Sequence, residues 1–174
     1  MLYLIGGPPR VGKSTLAQLI LERCKISGCG TDILVNMLAE AAPELGVHHG
    51  SHPDKAQSAF RFLVEFLRPF SYTGGDYVLE GDVVTPEVAT EASKIGPVRA
   101  VFLGNTTLTV QELRIAPHWL ADCDDAEFER TRDWVRARSA HLRRQCQADG
   151  CRYVEMGGDR DGGLEKAYRI LAGL

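Results

Sequence analysis

The chain opens Leu2-Tyr-Leu-Ile5-Gly6-Gly7-Pro8-Pro9-Arg10-Val11-Gly12-Lys13-Ser14-Thr15 and continues Leu16-Ala-Gln-Leu19-Ile20-Leu21. A short apolar run stopped by two glycines reads as a buried strand, and Leu16, Leu19 and Ile20 recur at helical spacing towards Cys24. Between them, Gly7 to Ser14 satisfies G-x-x-x-x-G-K-[ST] in full. At average residue frequencies a chain of this length would match by chance about once in a hundred cases or fewer. A strand before and an amphipathic helix after are the context in which this pattern forms a phosphate-binding loop. Glycines let the backbone N–H groups turn inward around a β-phosphate, and the helix N-terminus adds its positive dipole end. The expected nucleotide contacts are therefore Gly7, Pro8, Pro9, Arg10, Val11, Gly12, Lys13, Ser14 and Thr15, with Lys13 bridging β- and γ-phosphates and the Ser14 hydroxyl ligating magnesium.

Composition narrows the remaining classes. The 174 residues are 44% apolar and 25% charged, with a formal net charge of -3. Such a chain suits one domain over residues 1–174 with a core of its own. The mildly acidic balance argues against general nucleic-acid binding, which needs a basic footprint. No apolar stretch reaches the length of a membrane span, and the N-terminus lacks the basic region and apolar run of a signal peptide. Five cysteines, an odd number without C-x2-C spacing, read as reduced thiols of a cytoplasmic protein.

Along the rest of the chain, short apolar runs alternate with helical patterns, the signature of βαβ units. Expected strands are Leu2–Ile5, Lys25–Cys29, Tyr77–Leu79, Val98–Leu103 and Arg152–Met156. Thr31 is expected to cap a helix through about Glu40, and Pro53–Phe70 to form one helix with an apolar stripe. Thr85-Pro86-Glu87 opens another, Asp125–Gln147 is a long one, and Gly163–Leu171 the last. Thr107 to Asp125, interrupted by Pro117, reads as short helices or a mobile flap. Five strands with intervening helices make a doubly wound, three-layer α/β domain with a parallel five-stranded sheet.

With these elements in place the chain resembles the small P-loop kinases, the nucleoside-monophosphate-kinase-like group that includes gluconate, shikimate and 2-phosphoglycerate kinases and antibiotic phosphotransferases. Only the phosphate loop is a specific match; the rest is an order of elements. The resemblance implies strand order 2-3-1-4-5, ATP as donor, a helical substrate insert over about 32–75 and a lid over about 105–136. It also implies that an aspartate after strand 2, here Asp32, holds the acceptor hydroxyl, and that Gly157, after the last strand, lets the backbone approach adenine. The chain lacks the Asp-Gly-Phe/Tyr-Pro-Arg run of nucleotide kinases and carries Glu80-Gly81-Asp82 at the corresponding strand end.

Residue chemistry supplies the other candidates. Asp32 stands at the carboxyl edge of the sheet, where ligands gather in such folds, although a first-turn acid also suits a helix dipole. Glu80 or Asp82 can support magnesium, and a one-residue register change exchanges which of them faces the site. Arg114, Arg130 and Arg132 lie nearest the lid and are candidates for phosphate oxygens; Arg132 and Arg136, one turn apart, can share a face. Arg61 and Arg68, seven residues apart, are candidates for an anionic acceptor. His48, His49 and His52 form a loop cluster without metal-ligand spacing, and Trp119 and Trp134 read as core or interface anchors. The expectation is an ATP- and magnesium-dependent phosphotransferase acting on a small metabolite. Its rivals are a slow regulatory NTPase module and an antibiotic- or toxin-type kinase with a bulky substrate.

Overall fold

A computed structural model describes residues 1–50, 52–115 and 118–173. Pro117, the expected break in the lid segment, lies outside them. Strands β1 (Leu2–Gly6), β2 (Gly28–Gly30), β3 (Tyr77–Gly81), β4 (Val98–Gly104) and β5 (Tyr153–Glu155) form one parallel sheet in the order β2-β3-β1-β4-β5. Strands covered on both faces read as near-continuous apolar runs, which is why β1 and β4 stand out in the sequence. Successive side chains point to opposite faces. Leu4 packs with Leu79, Phe102, Val35, Leu63 and Val88 on one face, and Ile5 with Val101, Leu103, Leu16 and Ile20 on the other.

The helices are α1 (Lys13–Cys24), α2 (Thr31–Ala41), α3 (Asp54–Leu67), α4 (Phe70–Thr73), α5 (Pro86–Ile95), α6 (Val110–Ile115), α7 (Asp125–Asp149) and α8 (Arg160–Ala172). Thr85 caps α5 by accepting from the Val88 N–H, with Pro86 in the first turn, as its residue order implies. Asp124 caps α7 through the Glu127 N–H at 2.8 Å.

Several expectations shift. The second strand lies at Gly28–Gly30 rather than Lys25–Cys29, because its pairing is set by β3, with Cys29 opposite Leu79. Thr31 is not the cap of α2: Gly30 holds that position, and Thr31 is the first helical residue, fully buried, with a hydroxyl that has no hydrogen-bond partner among the described residues. The expected helix over 53–70 is two, α3 and α4, separated near Pro69. The last helix starts at Arg160, three residues early, because the Asp159 side chain accepts from the Gly162 N–H at 2.9 Å and caps it there. Trp119 and Trp134 are 59% and 40% exposed, so neither is a core residue.

The segments expected to be insert and lid both leave the carboxyl edge of the sheet. Residues between β2 and β3 form α2, a short 3-10 turn (Pro43–Leu45), α3 and α4. Residues after β4 form α6 and a 3-10 turn (His118–Leu120), and Leu113 and Leu120 are fully buried. Each such leucine is worth about 2 kcal/mol of burial, which ties the base of this segment to the core.

Candidate functional site

The loop between β1 and α1 is held open by backbone conformations that few side chains tolerate. Gly7 has φ 141° and Gly12 φ 96°, and Arg10, with φ 71°, adopts the left-handed region without being a glycine. Gly12 heads α1 with no side-chain cap, which leaves the first N–H groups of the helix directed at the loop. Lys13 Nζ donates to the Pro8 carbonyl at 2.9 Å and so spans the loop it anchors. Burial pushes its pKa down, against the pull of Glu80, Asp82 and Asp32. Ser14 and Thr15 are exposed beside it.

The acids come from the end of β3 and the start of α2. Parallel register sets Glu80 opposite Ile5 and Gly81 opposite Gly6, one residue short of the loop. Ser14 Oγ donates to Glu80 Oε1 at 2.8 Å. Asp82 faces elsewhere: both its oxygens accept from Lys55 Nζ at 3.2 Å, and Asp32 Oδ1 accepts from the same nitrogen at 3.2 Å. The Lys55 and Asp82 side chains are 16% and 15% exposed while Asp32 is 75% exposed, so the Lys55–Asp82 pair is the fixed part and Asp32 its open end. Burial alone would lower the Lys55 pKa, but Asp82 and Asp32 together outweigh it and raise it. Lys55 is a site residue that the sequence does not reveal, since it looks like any charged residue in the first turn of a helix.

Beyond this cluster lies a cavity of about 410 Å³ between α3, the start of α5 and α7, lined by His52, Phe60, Glu87, Arg138, His141 and Gln145 among others. Arg138 Nη2 lies 3.1 Å from His52 Nε2. A guanidinium only donates, so that nitrogen is the acceptor of a neutral imidazole. Burial first and Arg138 second push the His52 pKa down, in keeping with that tautomer. Arg138 makes no ion pair among the described residues. Arg61 and Arg68, the arginines singled out from sequence for an anionic acceptor, are exposed and do not line this cavity. Arg68 is held by Glu65 at 2.8 Å.

The arginines expected to serve a lid are paired with acids of their own segment. Arg114 pairs with Asp125 and lies over the Phe128 ring at 4.4 Å. Arg130 pairs with Glu127 at 2.6 Å and Arg132 with Asp133 at 2.8 Å. Arg114, Arg132 and Arg136 do converge on one polar cavity of about 420 Å³, the shared face expected of Arg132 and Arg136. At Gly157 the space a side chain would need is taken by the Thr107 hydroxyl and by Asn105 Oδ1, so this glycine serves a close approach of two loops.

As for a metal, a hydroxyl and a carboxylate oxygen at Ser14 and Glu80 are the hard donors that magnesium takes. No group of three or more His, Cys, Asp or Glu side chains suited to holding a metal occurs among the described residues.

Sheet order, loop and insert together define the fold of the P-loop small-molecule kinases. No family model and no curated protein sequence matches the chain. Among solved structures, a gluconokinase from Sinorhizobium meliloti 1021 is similar at a TM-score of 0.63 and 13% identity, over 99% of this chain and 91% of that one. A shikimate kinase from Bacteroides thetaiotaomicron is similar at 0.58 and 16%, over 99% and 98%. The shikimate kinase of Aquifex aeolicus follows at 0.50 and 15%, over 99% and 97%. At these identities the likeness is one of fold. No helix is long and apolar enough to cross a membrane among the described residues.

Proposed function

We propose that this protein is an ATP- and magnesium-dependent phosphotransferase that moves the γ-phosphoryl group to a hydroxyl or phosphate of a small metabolite. The observation that carries the reading is the Ser14–Glu80 contact beside Lys13, with the Asp32–Lys55–Asp82 cluster next to it. Lys13 and the loop N–H groups hold the β- and γ-phosphates. Ser14 and Glu80 are the residues that would hold magnesium, whose chemistry there is to neutralise charge on the phosphate oxygens. Asp32 orients the acceptor hydroxyl and takes its proton as the new oxygen–phosphorus bond forms, while the bond to the β–γ bridging oxygen breaks and ADP leaves. Asp82 acts through Lys55, which keeps Asp32 at the cleft edge.

Arg138, half-buried and free of an ion pair among the described residues, suits an acceptor with an anionic group. The role first given to Arg61 and Arg68 thus moves to this residue. Arg114, Arg130 and Arg132 contact phosphate only if nucleotide draws them from their acidic partners.

Purified protein incubated with γ-labelled ATP, magnesium and a pooled library of hydroxylated metabolites tests the reading. Label appearing in an organic product supports it. Release of labelled inorganic phosphate alone, across the whole library, would replace it with a regulatory NTPase.

A further inference from the structure

Four of the five cysteines fall into two pairs of identical spacing, Cys24/Cys29 and Cys146/Cys151. The fold treats these pairs differently. Cys24 ends α1, is exposed and meets the Tyr168 hydroxyl at 3.4 Å, whereas Cys29 lies in β2 and donates to the Gly30 carbonyl at 3.2 Å. Cys146 and Cys151 are instead drawn together by the backbone. Gly150 ends α7 with φ 69°, and the Cys151 N–H donates back to the Cys146 carbonyl at 2.9 Å. That 6→1 bond marks a Schellman turn, whose first and last side chains pack against each other.

Both thiols belong to one apolar cluster, which includes Leu142 and Tyr153. Cys146 is 1% exposed and Cys151 half-buried. Burial pushes both thiols above their usual range, and the nearness of Cys151 is the next cause of the Cys146 shift. A disulfide takes Cα atoms about 5.5–6 Å apart with converging Cβ atoms, the approach that a turn closed by a 6→1 bond provides. The turn lies at the amino edge of the sheet, before β5 and away from the phosphate loop. Gln145, one residue earlier, donates to Glu87 Oε1 at 2.5 Å in the wall of the cavity between α3, α5 and α7.

We infer that Cys146 and Cys151 form a dithiol that small-molecule disulfides oxidise to an internal disulfide, a redox modification site at the end of α7. Cys151, the less buried of the two, is the thiol that an external disulfide meets. Its thiolate attacks one sulfur of oxidised glutathione, whose S–S bond breaks; one glutathione thiol leaves and a mixed disulfide remains on Cys151. Cys146 then gives up its proton and attacks the Cys151 sulfur, expelling the second glutathione. Two protein thiols are oxidised, and one glutathione disulfide is reduced to two thiols. The new bond ties the last turn of α7 to the chain entering β5, behind the cavity wall that Gln145 helps to form.

The test incubates the protein with excess oxidised glutathione, folded and separately in concentrated urea, blocks free thiols with iodoacetamide and maps disulfides by mass spectrometry over hours. In urea the equal spacing of the two pairs gives Cys146–Cys151 and Cys24–Cys29 similar rates of closure. Folding should raise the ratio of the first rate to the second by at least ~10-fold, the advantage of partners already held together. Cys151→Ser should leave Cys146 unmodified, because burial denies it the first attack. Cys146→Ser should accumulate the glutathione adduct on Cys151, and Cys146→Ala replaces it if the buried serine unfolds the protein. A ratio that folding does not raise would overturn the inference. So would an adduct that persists on Cys151 in the folded wild type, or a folded protein whose Cys146 and Cys151 both stay free while the urea sample oxidises.

Discussion

Ser14 Oγ donates to Glu80 Oε1 at 2.8 Å, joining the first turn of α1 to the last residues of β3 across two neighbouring strands. Asp82, two residues on, points at Lys55. The two acids at this strand end therefore have separable tasks. Glu80→Gln is expected to raise the magnesium concentration for half-maximal turnover by ~10-fold or more, the scale seen when a metal site loses a supporting carboxylate. Asp82→Asn is expected to leave that midpoint nearly in place. A magnesium titration of both variants checks the division, and the opposite ranking would exchange the roles.

Asp82→Asn carries a different cost. It leaves Lys55, only 16% exposed, with Asp32 as its one carboxylate partner among the described residues. Removing one member of a largely buried pair is expected to destabilise the fold by about 2–4 kcal/mol. Asp32→Asn, at an exposed end, should cost under ~1 kcal/mol. Urea denaturation of the two variants measures the difference, and equal losses would contradict a buried Lys55–Asp82 pair.

Asp32→Asn should act on chemistry. Asparagine keeps the shape and one acceptor oxygen but takes no proton. ATP affinity is expected to stay within about threefold, under ~1 kcal/mol, while transfer falls by ~100-fold or more, as for a lost acid–base group. Circular dichroism would confirm the fold, and near-normal turnover would make Asp32 a first-turn acid of α2.

Cys146 gives a pH prediction with a definite sign. Burial, then Cys151, Asp149 and Glu87, push its thiol from 9.0 up to about 12. A raised pKa in the folded state means that the native protein binds more protons than the unfolded chain between those values. Its stabilising effect is thus complete below 9.0 and is lost as pH rises from there towards 12. The loss approaches about 1.4 kcal/mol per pH unit. Cys146→Ala should flatten that decline in denaturation curves taken from pH 8 upward, and an unchanged slope would refute the assignment.

The lid segment should respond to donor. Leu113 and Leu120 fix its base, so closure is expected to involve the exposed face of α6 and the start of α7. Hydrogen exchange over 110–115 should slow when a non-hydrolysable ATP analogue is added, because transfer to an acceptor requires that water be kept out. Identical exchange with and without the analogue would describe a rigid segment.

The order of elements was legible because β1, β4 and their helices carry local signals: apolar runs, a proline at a first turn, an acid at a cap. The edge strand was less so. Gly28-Cys-Gly30 has almost no strand character of its own and takes its place from pairing with β3. Thr31 looked like a cap because residue type alone does not show that its side chain is buried. The phosphate loop was readable since all its parts lie within a few residues. Lys55 and Arg138 were not, because their partners Asp82 and His52 lie 27 and 86 residues away. Composition likewise could not say that Arg130 and Arg132 meet acids on their own helix.

Lys55 belongs by sequence to the segment between β2 and β3 and by charge to the sheet edge, and this limits how freely this chain could exchange parts. An insert transplanted from a relative would bring its own walls for a new acceptor. It would also strand Asp82 in a half-dry pocket unless it supplied a cation at the same turn of α3. Recombination at this boundary is thus constrained by one electrostatic seam, and a designer who redraws the acceptor pocket would need to carry Lys55 and Asp82 across together or replace both.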